Sequence, residues 1–427
     1  MKTFKLYKVD GVTLLYQRIR VNKGVKFEID ILSGSGDEKI AGISHLMEHM
    51  FFNGTKKHTS EELGKLMRSQ NTRINASTGN ATVRIHTTNS VRNFEKDFAL
   101  CCEMLFDSTY SQKMIDKERG VVEQEINRFL DDNERYCAWQ IFQKIYNHPC
   151  YKQHTLGTPD SIKKIKEKHL HEILRDKFVQ ENIVVSVSGN VSARKCKKLI
   201  KQYITSRVER GKRQFVDYHK LPINGTPCMV VKQKPTNKTC LYICIKTKGM
   251  RDIKDNYYYG VYRQVLTKIK GRLWNVLREN NSLVYSYGVS RTCTLDDGYI
   301  SYQMFTSEDK VNACVDALAG MLNEIRENGI TVEEWENIKN EEKIGKDLEI
   351  KGFERQANEN FWRYLYWGKS RDKEYEKFRK KATYEEANEY IKNMVVNEQV
   401  WVSIVGDVDK KKIYSHKKIV EILNGQE

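Results

Sequence analysis

One stretch of the chain occurs twice. Glu181-Asn182-Ile183-Val184-Val185-Ser186-Val187-Ser188-Gly189-Asn190-Val191 returns far downstream as Glu398-Gln399-Val400-Trp401-Val402-Ser403-Ile404-Val405-Gly406-Asp407-Val408. Each copy is a continuous apolar run of strand length closed by a glycine turn, and each leads into a lysine-rich segment. Repetition on this scale constrains the fold more than any local propensity, because one supersecondary unit is being built twice. A chain of 427 residues is in any case too long for a single core. It reads as two similar halves.

The join falls within Thr205 to Pro222, where Glu209-Arg210-Gly211-Lys212-Arg213 interrupts the apolar periodicity and Pro222 opens the second half. This gives domains over 1–208 and 223–427 with 209–222 between them. In the first half, strand-like text at Lys26 to Ile31, Thr82 to Thr87 and Ile183 to Val187 alternates with amphipathic helices. Thr59-Ser60-Glu61-Glu62 has the form of a capping box leading into Leu63, Leu66 and Met67. A second helix is expected over roughly Val91 to Asp107, followed by one carrying Glu118 and Glu125. The class is α+β, with helices packed on mixed sheets.

His45-Leu46-Met47-Glu48-His49 carries the chemistry. Two imidazoles at i and i+4 and a carboxylate at i+3 share one helical face, and H-x-x-E-H is the inverted form of the zinc-peptidase motif. Neutral imidazoles hold Zn²⁺ while the carboxylate between them stays free to take a proton from metal-bound water. Read alone, the same five residues also fit a solvated surface helix. A catalytic zinc normally has three protein ligands and one open position, so a further donor must arrive from another element. Lys117-Glu118-Arg119-Gly120-Val121-Val122-Glu123-Gln124-Glu125-Ile126 offers carboxylates in a helical stretch.

Taken together, Gly42-x-x-His45-x-x-Glu48-His49-Met50-x-Phe52-x-Gly54-Thr55, then Asn75-Ala76-x-Thr78, then Glu118-Arg119-x-Val121-Val122-x-x-Glu125-Ile126 resemble the pitrilysin, insulysin and mitochondrial-processing-peptidase metallopeptidases. The resemblance implies one Zn²⁺ per chain held by His45, His49 and Glu125, with Glu48 as general base and Glu118 as an auxiliary acid. Glu118 and Glu125 are two helical turns apart and so face the same way. Asn75 and Ala76 open an edge strand to which an extended peptide adds through its backbone. Glycines usual ahead of Asn-Ala are replaced here by Ser69-Gln70-Asn71-Thr72-Arg73-Ile74, in which Asn71 best tolerates a left-handed conformation. His86 reads as an exposed strand residue, and His169 and His171 as solvent-facing.

The second half lacks H-x-x-E-H near its equivalent position. It contains Gly271-Arg272-Leu273-x-x-x-Leu277-Arg278-Glu279-x-x-Ser282-Leu283-Val284-Tyr285-Ser286, which resembles the family's second signature. That likeness makes Arg278 a holder of substrate carbonyl or carboxylate and Tyr285 a hydrogen-bond donor to the developing oxyanion. By spacing alone, the pair equally fits a surface ion pair and a half-buried tyrosine. Ser282 stands where the family commonly has glycine. The implied architecture is two homologous α/β domains, each a mixed, largely antiparallel sheet covered by helices, facing each other across a cavity.

Composition sets the remaining bounds. No apolar run approaches the roughly 20 residues that cross a bilayer, and Met1-Lys2-Thr3-Phe4-Lys5-Leu6-Tyr7-Lys8 lacks the apolar centre of a signal peptide. A cytoplasmic protein is expected, with an organellar matrix open if a presequence has been removed. Ten cysteines scattered through a large chain favour reduced thiols; Cys101, Cys102, Cys240 and Cys244 fall in apolar patterns and read as core. The net charge of +17 is dispersed over lysines and arginines with no nucleic-acid-binding motif. Neither nucleic acid nor membrane is an expected partner. The resulting expectation is a zinc-dependent endopeptidase or oligopeptidase acting on peptides inside a dimeric chamber. A homodimer comes first and a heterodimeric processing-peptidase subunit second, against the rival classes of a non-catalytic assembly subunit and a basic polyanion-binding protein.

Overall fold

The structure is a computed structural model that describes residues 4–20, 23–213, 216–236, 238–347, 352–394 and 399–426. Met1 to Thr3 of the opening stretch, positions 214 and 215 of the expected linker, and Glu398 of the second repeat copy lie outside the described residues. Two compact units are formed. One takes Met1–Arg128, Pro149–Tyr218 and Ile350–Asp372; the other takes Phe129–His148, His219–Glu349 and Lys373–Glu427.

The first unit holds strands β1 (Lys5–Val9), β2 (Val12–Arg18), β3 (Gly24–Ile31), β4 (Asn75–Thr78), β5 (Val83–Ser90) and β6 (Ile183–Gly189), in the sheet order β1-β2-β6-β3-β5-β4. The second holds β7 (Met229–Gln233), β8 (Thr239–Lys248), β9 (Ser286–Cys293), β10 (Asp297–Thr306) and β11 (Val400–Gly406), in the order β7-β11-β8-β10-β9. The repeated sequence is β6 in one sheet and β11 in the other. Each pairs in parallel with the first strand of the shared pattern, β2 or β7, and antiparallel with the next, β3 or β8. All other pairings are antiparallel. The α+β class, with mixed and mostly antiparallel sheets covered by helices, is thus observed twice.

In the first sheet, alternation along β3 sends Val25, Phe27, Ile29 and Ile31 into the main core, with Phe94 and Phe98 from helix Phe94–Phe106 packed on Phe27. Lys26, Glu28 and Asp30 face the other way, a pattern that ordinarily marks a solvated face. Here that face is covered. Helix Phe353–Trp367 lies across it, leaving Lys26, Glu28 and Asp30 at 8%, 2% and 0% exposure. Arg84 from β5 pairs with Asp30 and lies 3.6 Å from Glu28, and its guanidinium stacks on Phe361 at 4.8 Å. Asn360 donates to Gln17 at 2.7 Å, while Phe361 packs with Leu15, Leu32 and Val184. His86 is also drawn into this layer: it is half-buried and hydrogen-bonded to Lys26 at 2.7 Å, so its expected exposure is corrected.

The second sheet has the same arrangement. Helix Asn133–Ile145 packs on β11 and β8, where Cys137 sits among Cys240, Tyr242 and Val405 and donates to the Ser403 carbonyl at 3.3 Å. The other face packs on helices Ile253–Thr267 and Val311–Asn328. Each sheet is therefore completed by a helix from the other half of the sequence. The expected division at 209–222 follows chain order, whereas the compact units exchange 129–148 for 350–372. All ten cysteines are free thiols, and Cys101, Cys102, Cys240 and Cys244 are buried.

Candidate metal centre

The motif lies on a short helix, Ile43–Met50. Leu46, Met47 and Met50 are fully buried beneath it, which turns His45, Glu48 and His49 to the opposite side. The helix starts at Gly42, which has φ +84°, and a Cβ there would meet the Leu156 carbonyl oxygen at 2.6 Å. Glu38 satisfies the free donors of the first turn, accepting from Gly42 N at 2.5 Å and Ser44 N at 3.0 Å.

Glu125 arrives from helix Gln112–Asp131. Its Oε2 lies 3.5 Å from His45 Nε2 and 3.7 Å from His49 Nε2, and the donor atoms of all three residues lie within 4.8 Å of one another. Two ligands held about 2.0–2.1 Å from one tetrahedral zinc stand about 3.3 Å apart. Glu125 stands close to that spacing from both imidazoles, and the three residues fit a zinc ion once the widest of their separations, within 4.8 Å, closes toward it. The Glu125 side chain is 37% exposed, so the cluster opens to solvent on that side.

Glu118, two turns earlier on the same helix and only 8% exposed, lies 3.1 Å from His49 Nδ1. A carboxylate there fixes the tautomer that leaves Nε2 free to coordinate. His45 has no such support: its Nδ1 is buried without a hydrogen-bond partner among the described residues. Burial, with His49 and His154 close by, pulls His45 down to about 4, so it is neutral near pH 7, the form that binds metal.

Glu48 projects beside this cluster. Burial pushes its carboxyl above the usual range, opposed by a 2.6 Å hydrogen bond from the Thr78 hydroxyl and by His49. A raised carboxyl is better matched to proton transfer near neutral pH. Thr78 ends β4, which among the described residues pairs only with β5 and forms an edge of the sheet. Asn75 is exposed and Ala76 is buried on this strand. Asn71 adopts φ +47° just before it, as its side chain allows.

Arg278 and Tyr285 belong to the second unit. Arg278 lies in the wide helical turn Asn275–Glu279 with its guanidinium 4.7 Å above the Trp274 ring. Glu279 accepts from the Trp274 indole at 3.0 Å. Tyr285 immediately precedes β9, bonds through its backbone to the Phe305 carbonyl at 2.8 Å and leaves its side chain 60% exposed. The turn between them is made without glycine, with Ser282 itself taking φ +50°.

Sequence reasoning did not assign roles to Thr78, Glu38 or His154. Thr78 had a signal, because it stands inside Asn75-Ala76-x-Thr78. Glu38 caps from outside the usual N-cap position, and His154 carries no motif; burial pulls it down to about 4.

Two duplicated sheet units, one bearing an inverted histidine motif and a distant glutamate, define a class of metallopeptidase-like chain, and the comparisons with known proteins agree. Residues 14–159 match the family described as Insulinase (Peptidase family M16), and residues 164–342 match the one described as Peptidase M16 inactive domain. The uncharacterized zinc protease YmxG of Bacillus subtilis is 23% identical over 369 residues, covering 84% of this chain and 87% of its own. The peptidase M16 inactive domain from Pseudomonas fluorescens superposes with a TM-score of 0.83 at 13% identity, over 94% of this chain and 98% of the other. A protease from Helicobacter pylori gives 0.80 at 17% identity, over 94% and 99%. The chain belongs to peptidase family M16, the insulinase family. Among the described residues, no helix is long and apolar enough to cross a membrane.

Proposed function

We propose that this chain is a zinc-dependent endopeptidase or oligopeptidase. The observation that carries the reading is the convergence of His45, His49 and Glu125 within 4.8 Å, with Glu48 alongside. Bound zinc supplies Lewis acidity, lowering the pKa of a coordinated water and polarising a scissile carbonyl. Glu48 takes the water's proton and returns it to the leaving amine, a role worth about 10² to 10⁴-fold in rate. Glu118 holds His49 in its coordinating tautomer. Strand β4 offers its unpaired edge, with Asn75 and Ala76, to an extended peptide. Arg278 and Tyr285 are assigned the contacts that the family's second signature gives them, to substrate carbonyl and oxyanion.

The chain works as a homodimer in this reading, with pairing to a related subunit as the second arrangement. A non-catalytic role is less well supported, because the ligands and the base are all present and adjacent. The test combines zinc content with hydrolysis of an internally quenched peptide. One zinc per chain and chelator-sensitive turnover are expected, and Glu48→Gln should keep the zinc and lose the turnover. Undiminished hydrolysis by that variant excludes Glu48 as the base.

A further inference from the structure

The short strand β4 does two things. Its alternation leaves Asn75 and Ser77 exposed, while Ala76 and Thr78 turn toward the motif helix. The Thr78 hydroxyl lies 2.6 Å from Glu48 Oε2 and 3.4 Å from the Ser44 carbonyl oxygen. A hydroxyl has one proton to give, and 2.6 Å is the length of a charge-assisted bond from a hydroxyl to a carboxylate. The proton therefore goes to Glu48 Oε2, and holding that oxygen also sets where the second oxygen, Oε1, is carried. Thr78 makes the last pair of the β4–β5 ladder, opposite Val83, and its branched Cβ is stiff about χ1. The sheet, rather than a loop, sets where the hydroxyl points.

Resting on the reading of Glu48 as the base, we propose that Thr78 is a positioning residue that fixes the rotation of the Glu48 carboxylate. It ties the base to the strand on which the peptide is laid. Backbone pairing along β4 and the aim of Oε1 are then set by one four-residue element, so a bound peptide and the proton acceptor keep a common register.

The test uses Thr78→Val, which keeps the branched shape and removes the donor, and Thr78→Ser, which restores the donor. For Thr78→Val, kcat for a quenched peptide should fall about 10- to 100-fold, the range typical of lost orienting partners, with KM within about twofold and zinc content unchanged. Thr78→Ser should recover to within about threefold of the parent. An unchanged kcat in Thr78→Val, a loss accompanied by zinc depletion, or a serine variant as impaired as the valine one overturns the proposal. A second measurement does not need turnover: in metal-free protein, the shifts in urea midpoint caused by Thr78→Val and Glu48→Gln should be non-additive when combined. Additive shifts refute the contact itself. If the parent chain hydrolyses nothing while the cycle shows coupling, the peptidase reading fails and the Thr78–Glu48 contact stands.

Discussion

Glu118 gives the most direct handle on the metal centre. The residue is 8% exposed, and its carboxylate lies 3.1 Å from His49 Nδ1. With water largely excluded, this bond decides which imidazole nitrogen carries the proton and adds a negative charge behind the ligand. Glu118→Gln keeps the size and an acceptor oxygen but removes the charge. Loss of such a partner costs about 10- to 100-fold in zinc affinity, or about 1.4 to 2.7 kcal/mol. The low exposure places the expectation toward the upper end, because the bond is not diluted by competing water. Competition with a chromogenic zinc chelator measures it on the parent chain, on Glu118→Gln, and on Glu123→Gln as a control on another side of the same helix. An affinity for Glu118→Gln within twofold of the parent, or an equal loss in the Glu123 control, refutes the reasoning.

Two further outcomes are expected. Phe361→Ala removes the buried anchor of the helix across the first sheet, including the ring under Arg84, and should lower stability by about 3–5 kcal/mol in urea unfolding; a loss below about 1 kcal/mol contradicts that packing role. Burial pulls His86 down to about 4 from its ordinary 6.5, with Lys26 and Arg84 adding to the effect. A base depressed in the folded state contributes stability that is complete above pH 6.5 and is lost as pH falls from there through 4, by less than the roughly 3.4 kcal/mol of the full shift because solvent screens the half-buried ring. His86→Gln should flatten that part of the stability-versus-pH curve, and an unaltered slope rejects His86 as its source.

Much of this was legible in the sequence, for physical reasons that differ by residue. The repeat at Gly189 and Gly406 marks the same position in both sheets because a buried strand tolerates little besides an apolar run. Thr59 forms its capping box with Glu62 as read, since that signal is purely local. The Glu118 and Glu125 pairing followed from helical periodicity plus the family text. Long-range docking was not readable. Neither the helix at 133–145 nor the one at 353–367 was singled out from the sequence, and amphipathic periodicity carries no address for the sheet a helix will cover. For the same reason Lys26, Glu28 and Asp30 look like a wet face, and only the helix above them shows otherwise. Thr78 was visible as a motif residue, yet its partner depends on how β4 meets the motif helix.

The crossed helices also bear on how the protein is made. The unit that contains the histidine motif takes its covering helix from Phe353–Trp367, far downstream of the linker. A nascent chain halted at the linker has Asp30, Glu28 and Arg84 in place but nothing to roof them, so the amino-terminal half cannot finish ahead of the carboxy-terminal one, as independent domains usually do on the ribosome. Maturation of the metal-binding unit is thereby deferred until the polypeptide has emerged through Trp367.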